Sequence, residues 1–178
     1  MDDALLRWTA RLAALFYSAA LGLRIGPTRC AIARCAIARC AIARCAIARW
    51  VWSAGCVALL AHMACAFHFH HRWSHQAAYW ATARQTAERT GLDWGGGVYF
   101  NYAFAMVWGL DALWWWRVGP ARYEARHAWA EWLIQGYLAF ILFNATIVFG
   151  AGGARWFGAA ALAAFAGWAW FRNSARTV

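Results

Sequence analysis

The sequence predicts an all-α fold, an integral membrane bundle of about five transmembrane helices. Three observations carry this reading. The 178 residues are 64% hydrophobic and only 13% charged, whereas a soluble domain carries about 25% charged residues. The apolar residues gather in long stretches separated by short arginine-bearing segments, the pattern of helices crossing lipid. Fifteen tryptophans accompany them, many at the ends of the stretches, the headgroup level that an aromatic ring with one polar atom prefers.

A bilayer core of ~30 Å needs about 20 apolar residues of helix. The first candidate, Leu5 to Ile25, carries Arg7 and Arg11 near its start. Both can snorkel to the interface and leave Leu12 to Leu23 as the apolar centre. A cleaved signal peptide is the alternative, with Ser18-Ala19-Ala20 ahead of the cleavage site. It would leave the arginine-rich segment that follows to be translocated, against the charge rule.

The second span runs from Trp50 to Phe69, and the reading extends its helix beyond the membrane to Thr90. Gly91 then stops it, because glycine tolerates the left-handed conformation of a helix end. Gly95-Gly96-Gly97 gives a flexible entry to the third span, Val98 to Trp116. The fourth, Trp129 to Gly150, is interrupted only by Glu131, Gln135 and Asn144, and the fifth is the shorter stretch Trp156 to Phe171. Small residues recur every fourth position at Ala10, Ala14, Ser18 and Gly22, and again at Ala159, Ala163 and Gly167. Such stripes let helix backbones approach closely in lipid, so both are expected to face protein.

Residues 29–49 hold the unit CAIAR four times after a leading Arg29. On a helix five residues advance about 500°, which scatters the cysteines around the cylinder. On a strand the odd period sends successive cysteines to opposite faces. A pentapeptide β-helix needs several stacked coils, and four units make only one. The expectation is a duplicated stretch tolerated in a passive connecting loop, with a thiol-rich metal-binding or membrane-surface segment as the alternative. Four of the six cysteines belong to the repeat, so cysteine count says nothing about redox compartment.

Setting the four repeat arginines aside lowers the formal charge from +10 to +6. Five spans would place Arg24, the repeat, the segment Arg117 to His127 and the tail from Arg172 on one side, with eleven arginines. The other side holds four: Arg72, Arg84, Arg89 and Arg155. Excess arginine marks the cytoplasmic side, so the N-terminus is expected outside and the C-terminus inside, in the inner (plasma) membrane. The aromatics are committed to lipid, which excludes a nucleic-acid surface of basic and accessible aromatic residues.

Histidines cluster where the second span leaves the membrane: His62, His68, His70, His71 and His75. On one continuous helix His68, His71 and His75 would fall within about 60° of one another. Imidazoles at that spacing can share a transition metal, so the three are candidate metal ligands; hydrated interfacial histidines are the plain alternative. A membrane di-iron oxidase needs more histidine clusters than this chain has, and Asp111 lies about 20 Å in depth from His68. A bis-histidine haem lacks a second histidine within a span. Asp111 and Glu131 are the intramembrane carboxylates, expected to pair with Arg117, Arg126 or His127.

The stretches TARQTAERTGLDWGGGVYFNYAF and FNATIVFG, with the histidine segment, resemble hypothetical multi-pass bacterial integral membrane proteins. The resemblance covers roughly residues 50–157 and implies the membrane class alone. The repeat departs from it. Nothing in the sequence has the spacing of a nucleophile–base triad or a phosphate-cradling loop. Three functions stay open. The first is a structural or accessory membrane subunit without catalysis, with the bilayer and a homo-oligomer or membrane complex as partners. The second is metal binding, redox-linked or not, at the histidines. The third is a proton or cation pathway through Asp111 and Glu131.

Overall fold

The computed structural model describes residues 2–25, 34–150 and 152–174, with side chains for 4–25, 43–150 and 152–174. Among them are α1 (Asp2–Arg24), α2 (Arg34–Phe69), α3 (His75–Thr90), α4 (Gly97–Glu124), α5 (Ala128–Phe143), a π-helical turn (Asn144–Val148) and α6 (Ala154–Ser174), with no strand. The all-α expectation holds. Two segments are long and apolar enough to cross a membrane, Ala43–Phe69 of α2 and Ala128–Val148. The other three expected crossings are helical but fall short of that mark. Arginine in α1, and tryptophan and glycine in α4 and α6, dilute their hydropathy.

Five long helices run antiparallel in turn. His62 of α2 lies beside Leu6 and Thr9 of α1, whereas Arg24, at the other end of α1, meets Glu124 and Glu131. The core is an aromatic knot of Tyr17, Trp52 and Trp108, with centroid separations of 5.7, 5.0 and 5.9 Å. It ties α1, α2 and α4 through three wholly buried rings. Gly55 permits the approach, since a Cβ there would meet Trp108 at 2.7 Å. The Trp108 indole donates to the Trp52 carbonyl at 3.2 Å, so one polar edge of the knot is satisfied.

The described part of the repeat is not a loop. The backbone from Arg34 is helical and continuous with the second span, making α2 36 residues long, about 54 Å. The period of five decides where side chains point, not whether a helix forms. Alanine and arginine are strong helix formers, and the unit holds no glycine or proline. Residues 29–33 lie outside the described residues.

The extension of the second helix to Thr90 is also corrected. α2 ends at Phe69, and Arg72 (φ 48°) and Trp73 (φ 59°) adopt the left-handed conformation. Ser74 then caps α3, its hydroxyl accepting from the Ala77 amide at 3.2 Å. Serine at an N-cap satisfies a helix-end donor, so the chain restarts a helix here instead of continuing one. Gly91 ends α3 at φ 77°, as the sequence reading expects.

The small-residue stripes are used differently from the expectation. α1 buries Ala13, Ala14, Tyr17, Ala20 and Leu21, so Ala14 alone of its stripe is fully buried. α6 packs through Gly158, Ala161 and Trp168, while Ala159 and Ala163 face outward. In an alanine-rich helix several stripes exist, and the largest neighbouring side chain, Trp168, selects the buried one.

Candidate functional site

A buried ionic cluster forms where α1, α4, α5 and α6 end together. Its geometry starts at Gly119 and Pro120. Proline lacks the amide that would continue the helix, and Gly119 sits at φ 77°, ψ 168°, a conformation essentially reserved for glycine. The kink turns residues 120–124 back on α4, so that Tyr123 stacks on Trp115 at 4.0 Å, the planes 1° apart. The Tyr123 hydroxyl is thereby aimed at Asp111 and donates to Oδ2 at 2.6 Å.

Arg126, in the turn before α5, reaches into the same space. Its guanidinium donates to Asp111 Oδ1 and Glu131 Oε2, and to the Tyr123 oxygen at 3.1 Å. Arg24 donates to Glu131 Oε1 at 2.8 Å and to Glu124 Oε1 at 3.0 Å. Arg172 closes the set by donating to Glu124 Oε2 at 3.0 Å. Three carboxylates thus face three guanidiniums, with no net charge among them. The Glu131 side chain is 0% exposed and that of Arg24 1%, so neither charge could stand there alone.

Burial, and next to it Asp111 and Glu131, hold the Tyr123 phenol well above its ordinary pKa of 10.0, against the pull of Arg24 and Arg126. For Arg126 burial opposes the charge, but the Glu131 hydrogen bond and the nearby Tyr123 and Asp111 raise its pKa overall. Tyr123 stays a donor and Arg126 a cation. One turn further into the bundle, Gln135 is wholly buried, and neither amide atom has a partner among the described residues. The Tyr17 hydroxyl donates to the backbone carbonyl of Gln135 at 3.4 Å.

Sequence reasoning brings Asp111, Glu131 and Arg126 to one depth but misses Arg24, Glu124, Arg172 and Tyr123. The available signal was that Arg24 and Arg172 lie in the last turns of helices ending on the same side. Arg117 and His127, the other expected partners, take no part in the side-chain hydrogen bonds of Asp111 and Glu131, which go to Arg24, Tyr123 and Arg126.

The histidines are separated by the break. His68 closes α2, where it packs against Phe69 and Trp73. His71 lies in the turn against Phe67, and burial, with neighbouring His70, lowers its pKa below 6.5. His75 opens α3 and shares hydrogen bonds with the hydroxyls of Tyr102 (2.9 Å) and Tyr99 (3.3 Å), tying α3 to α4. The shared helical face on which the metal expectation rested is absent. No group of three His, Cys, Asp or Glu able to hold a metal occurs among the described residues. His62 donates from Nδ1 to the Leu6 carbonyl at 3.0 Å, which leaves Nε2 as an acceptor.

The chain matches no protein-family model, no curated protein and no solved structure.

Proposed function

We propose that this chain is a multi-pass membrane protein with five crossings, formed by α1, α2, α4, α5 with the π-helical turn, and α6. It acts as a structural or accessory subunit whose helices are clamped by the ionic cluster at the cytoplasmic end. The exterior supports the membrane part: Trp156 is 80% exposed, Trp170 74% and Trp129 69%, with Leu133 and Val57 among many more. Apolar side chains are too widely exposed on several helices for water to be the solvent of all of them. The antiparallel order also gathers Arg24, Arg126 and Arg172 at one end, the distribution on which the orientation rests.

The observation that carries the structural role is the closed charge count. Each carboxylate is held by donors from elsewhere in the chain, and each guanidinium by carboxylates, so the ionisable groups serve as ties. Reconstitution in liposomes loaded with a pH-sensitive dye tests this. Wild type and Asp111→Asn are expected to leak protons no faster than protein-free vesicles, and the variant to unfold more readily. Flux above background that Asp111→Asn abolishes would refute the role in favour of a proton pathway. The unpartnered Gln135 beside Glu131 is the one feature that favours that second reading.

Orientation has its own test. A cysteine placed at Gln85 should react with an impermeant maleimide in intact cells, after background labelling of the native thiols is subtracted. Labelling only after lysis reverses the topology.

A further inference from the structure

At the end opposite the ionic cluster, α3, α4, α5 and the π-helical turn border a half-open cavity of about 620 Å³. This lies within the ~300–1,000 Å³ of small-molecule sites, which are mostly apolar with a few fixed polar groups. Trp94, Phe100, Phe140 and Phe149 supply flat apolar walls. The polar groups are three carboxamides, Gln85, Asn101 and Asn144, and the hydroxyls of Thr82 and Thr86. No ionisable side chain lines the cavity, a wall that suits an uncharged occupant.

The free valences of those groups say more. Thr82 and Thr86 each donate their hydroxyl hydrogen to a backbone carbonyl four residues back, at 2.9 Å, and retain only acceptor lone pairs. Asn144 gives one amide hydrogen to the Phe140 carbonyl at 2.8 Å and keeps its carbonyl oxygen free. The side chains of Gln85 and Asn101 make no hydrogen bond among the described residues. Each amide or hydroxyl oxygen can accept twice, so acceptor capacity in the wall exceeds the hydrogens left to donate. Asn144 also opens the π-helical turn, closed by the Phe149 amide on the Asn144 carbonyl at 2.9 Å. Such turns are rare and frequent at functional sites.

We propose that this cavity binds an uncharged amphiphile that brings hydroxyl donors on a flat apolar ring, a phenol or quinol. Its ring lies between the aromatic walls, and its O–H groups donate to the amide and threonine oxygens. Asn101, Thr82, Ile141 and Ala145 also line a neighbouring cavity of about 200 Å³, bordered by His62 and His71. An occupant larger than the first cavity therefore has room to continue toward the histidines.

Calorimetric titration of the full chain in detergent, with empty micelles subtracted, tests the proposal. The probes are tert-butylhydroquinone and its dimethyl ether, which keeps the ring and loses both donors. Saturable binding of the hydroquinone, at least tenfold tighter than the ether, is expected. Gln85→Leu should weaken it several-fold; this side chain is exposed and holds no internal hydrogen bond, so the fold is untouched. Asn101→Leu should do the same, and Ala145→Trp should abolish binding by filling the space. Non-saturable heats, equal affinity for the ether, or full affinity in Ala145→Trp would overturn the proposal. Full affinity in both amide variants would overturn the donor matching on which it stands.

Discussion

Glu131→Gln probes the cluster at its centre. The carboxylate accepts from Arg24 at 2.8 Å and from Arg126, and its side chain is wholly buried. Glutamine keeps the shape but turns one acceptor into an amide donor, set against a guanidinium that also donates. The count changes from three carboxylates for three guanidiniums to two for three. Removing one partner of a buried pair costs about 3–5 kcal/mol, because the surviving charge stays desolvated. Arg172→Met gives the contrast: Arg172 and Glu124 are 24% and 30% exposed, where a pair contributes only about 0–1 kcal/mol. The assay is unfolding by dodecyl sulfate in mixed micelles, followed by circular dichroism. Arg24→Met and the double variant Arg24→Met/Glu131→Gln complete a cycle, with a coupling of about 0.5–3 kcal/mol expected for residues in contact. A loss below about 1 kcal/mol for Glu131→Gln, or a loss equal to that of Arg172→Met, refutes the clamp.

Three further outcomes follow from the same geometry. Tyr123→Phe removes the donor to Asp111 and should cost about 1–3 kcal/mol. Because the folded phenol titrates above its ordinary 10.0, its contribution is full below pH 10 and declines as pH rises beyond it; the stability–pH profile of the variant should be flatter in that range, and an unchanged profile counts against the buried phenol. Arg72→Gly should stabilise by about 1 kcal/mol, since glycine accepts φ 48° without penalty; in an unbroken helix the same change would destabilise, so chemical unfolding decides by sign. Ala41→Pro should strip amide protection from residues 38–40 in hydrogen exchange, the first amides of α2 with an acceptor inside the helix, because proline interrupts a helix; protection unaltered by the proline would contradict a helical repeat.

The helices were legible in the sequence wherever apolar length decides. The stretches at 98–116 and 129–150 coincide with α4 and with α5 plus the π-helical turn to within a few residues at the apolar core. Gly91 could be read as a helix stop because the chemistry of the left-handed position is local. The partners of the buried charges could not. Arg24 meets Glu124 and Glu131 across sequence separations of 100 and 107, and only packing brings such residues together. At His71 and Ser74 two local signals competed: histidine spacing suggested one helix, while Ser74 carried the capping chemistry that started another. At the repeat a period of five says only where side chains point, whereas composition, alanine and arginine without glycine or proline, decides helicity.

Synthesis gives the separation of Arg24 from its counter-ions a temporal meaning. Arg24 leaves the ribosome about 100 residues ahead of the first carboxylate it binds, an interval of roughly 5–20 s at ~5–20 residues per second. Through that interval the nascent chain holds a cation that has yet to meet its carboxylates, while α1 can already pack on α2 through Tyr17 and Trp52. Neutralisation begins with Glu124 at the end of α4, Glu131 of α5 completes it, and Arg172 joins last of all. A chain terminated before the end of α4 would display an unmatched arginine at the end of α1, the kind of defect that quality-control proteases can recognise, whereas the finished chain hides it.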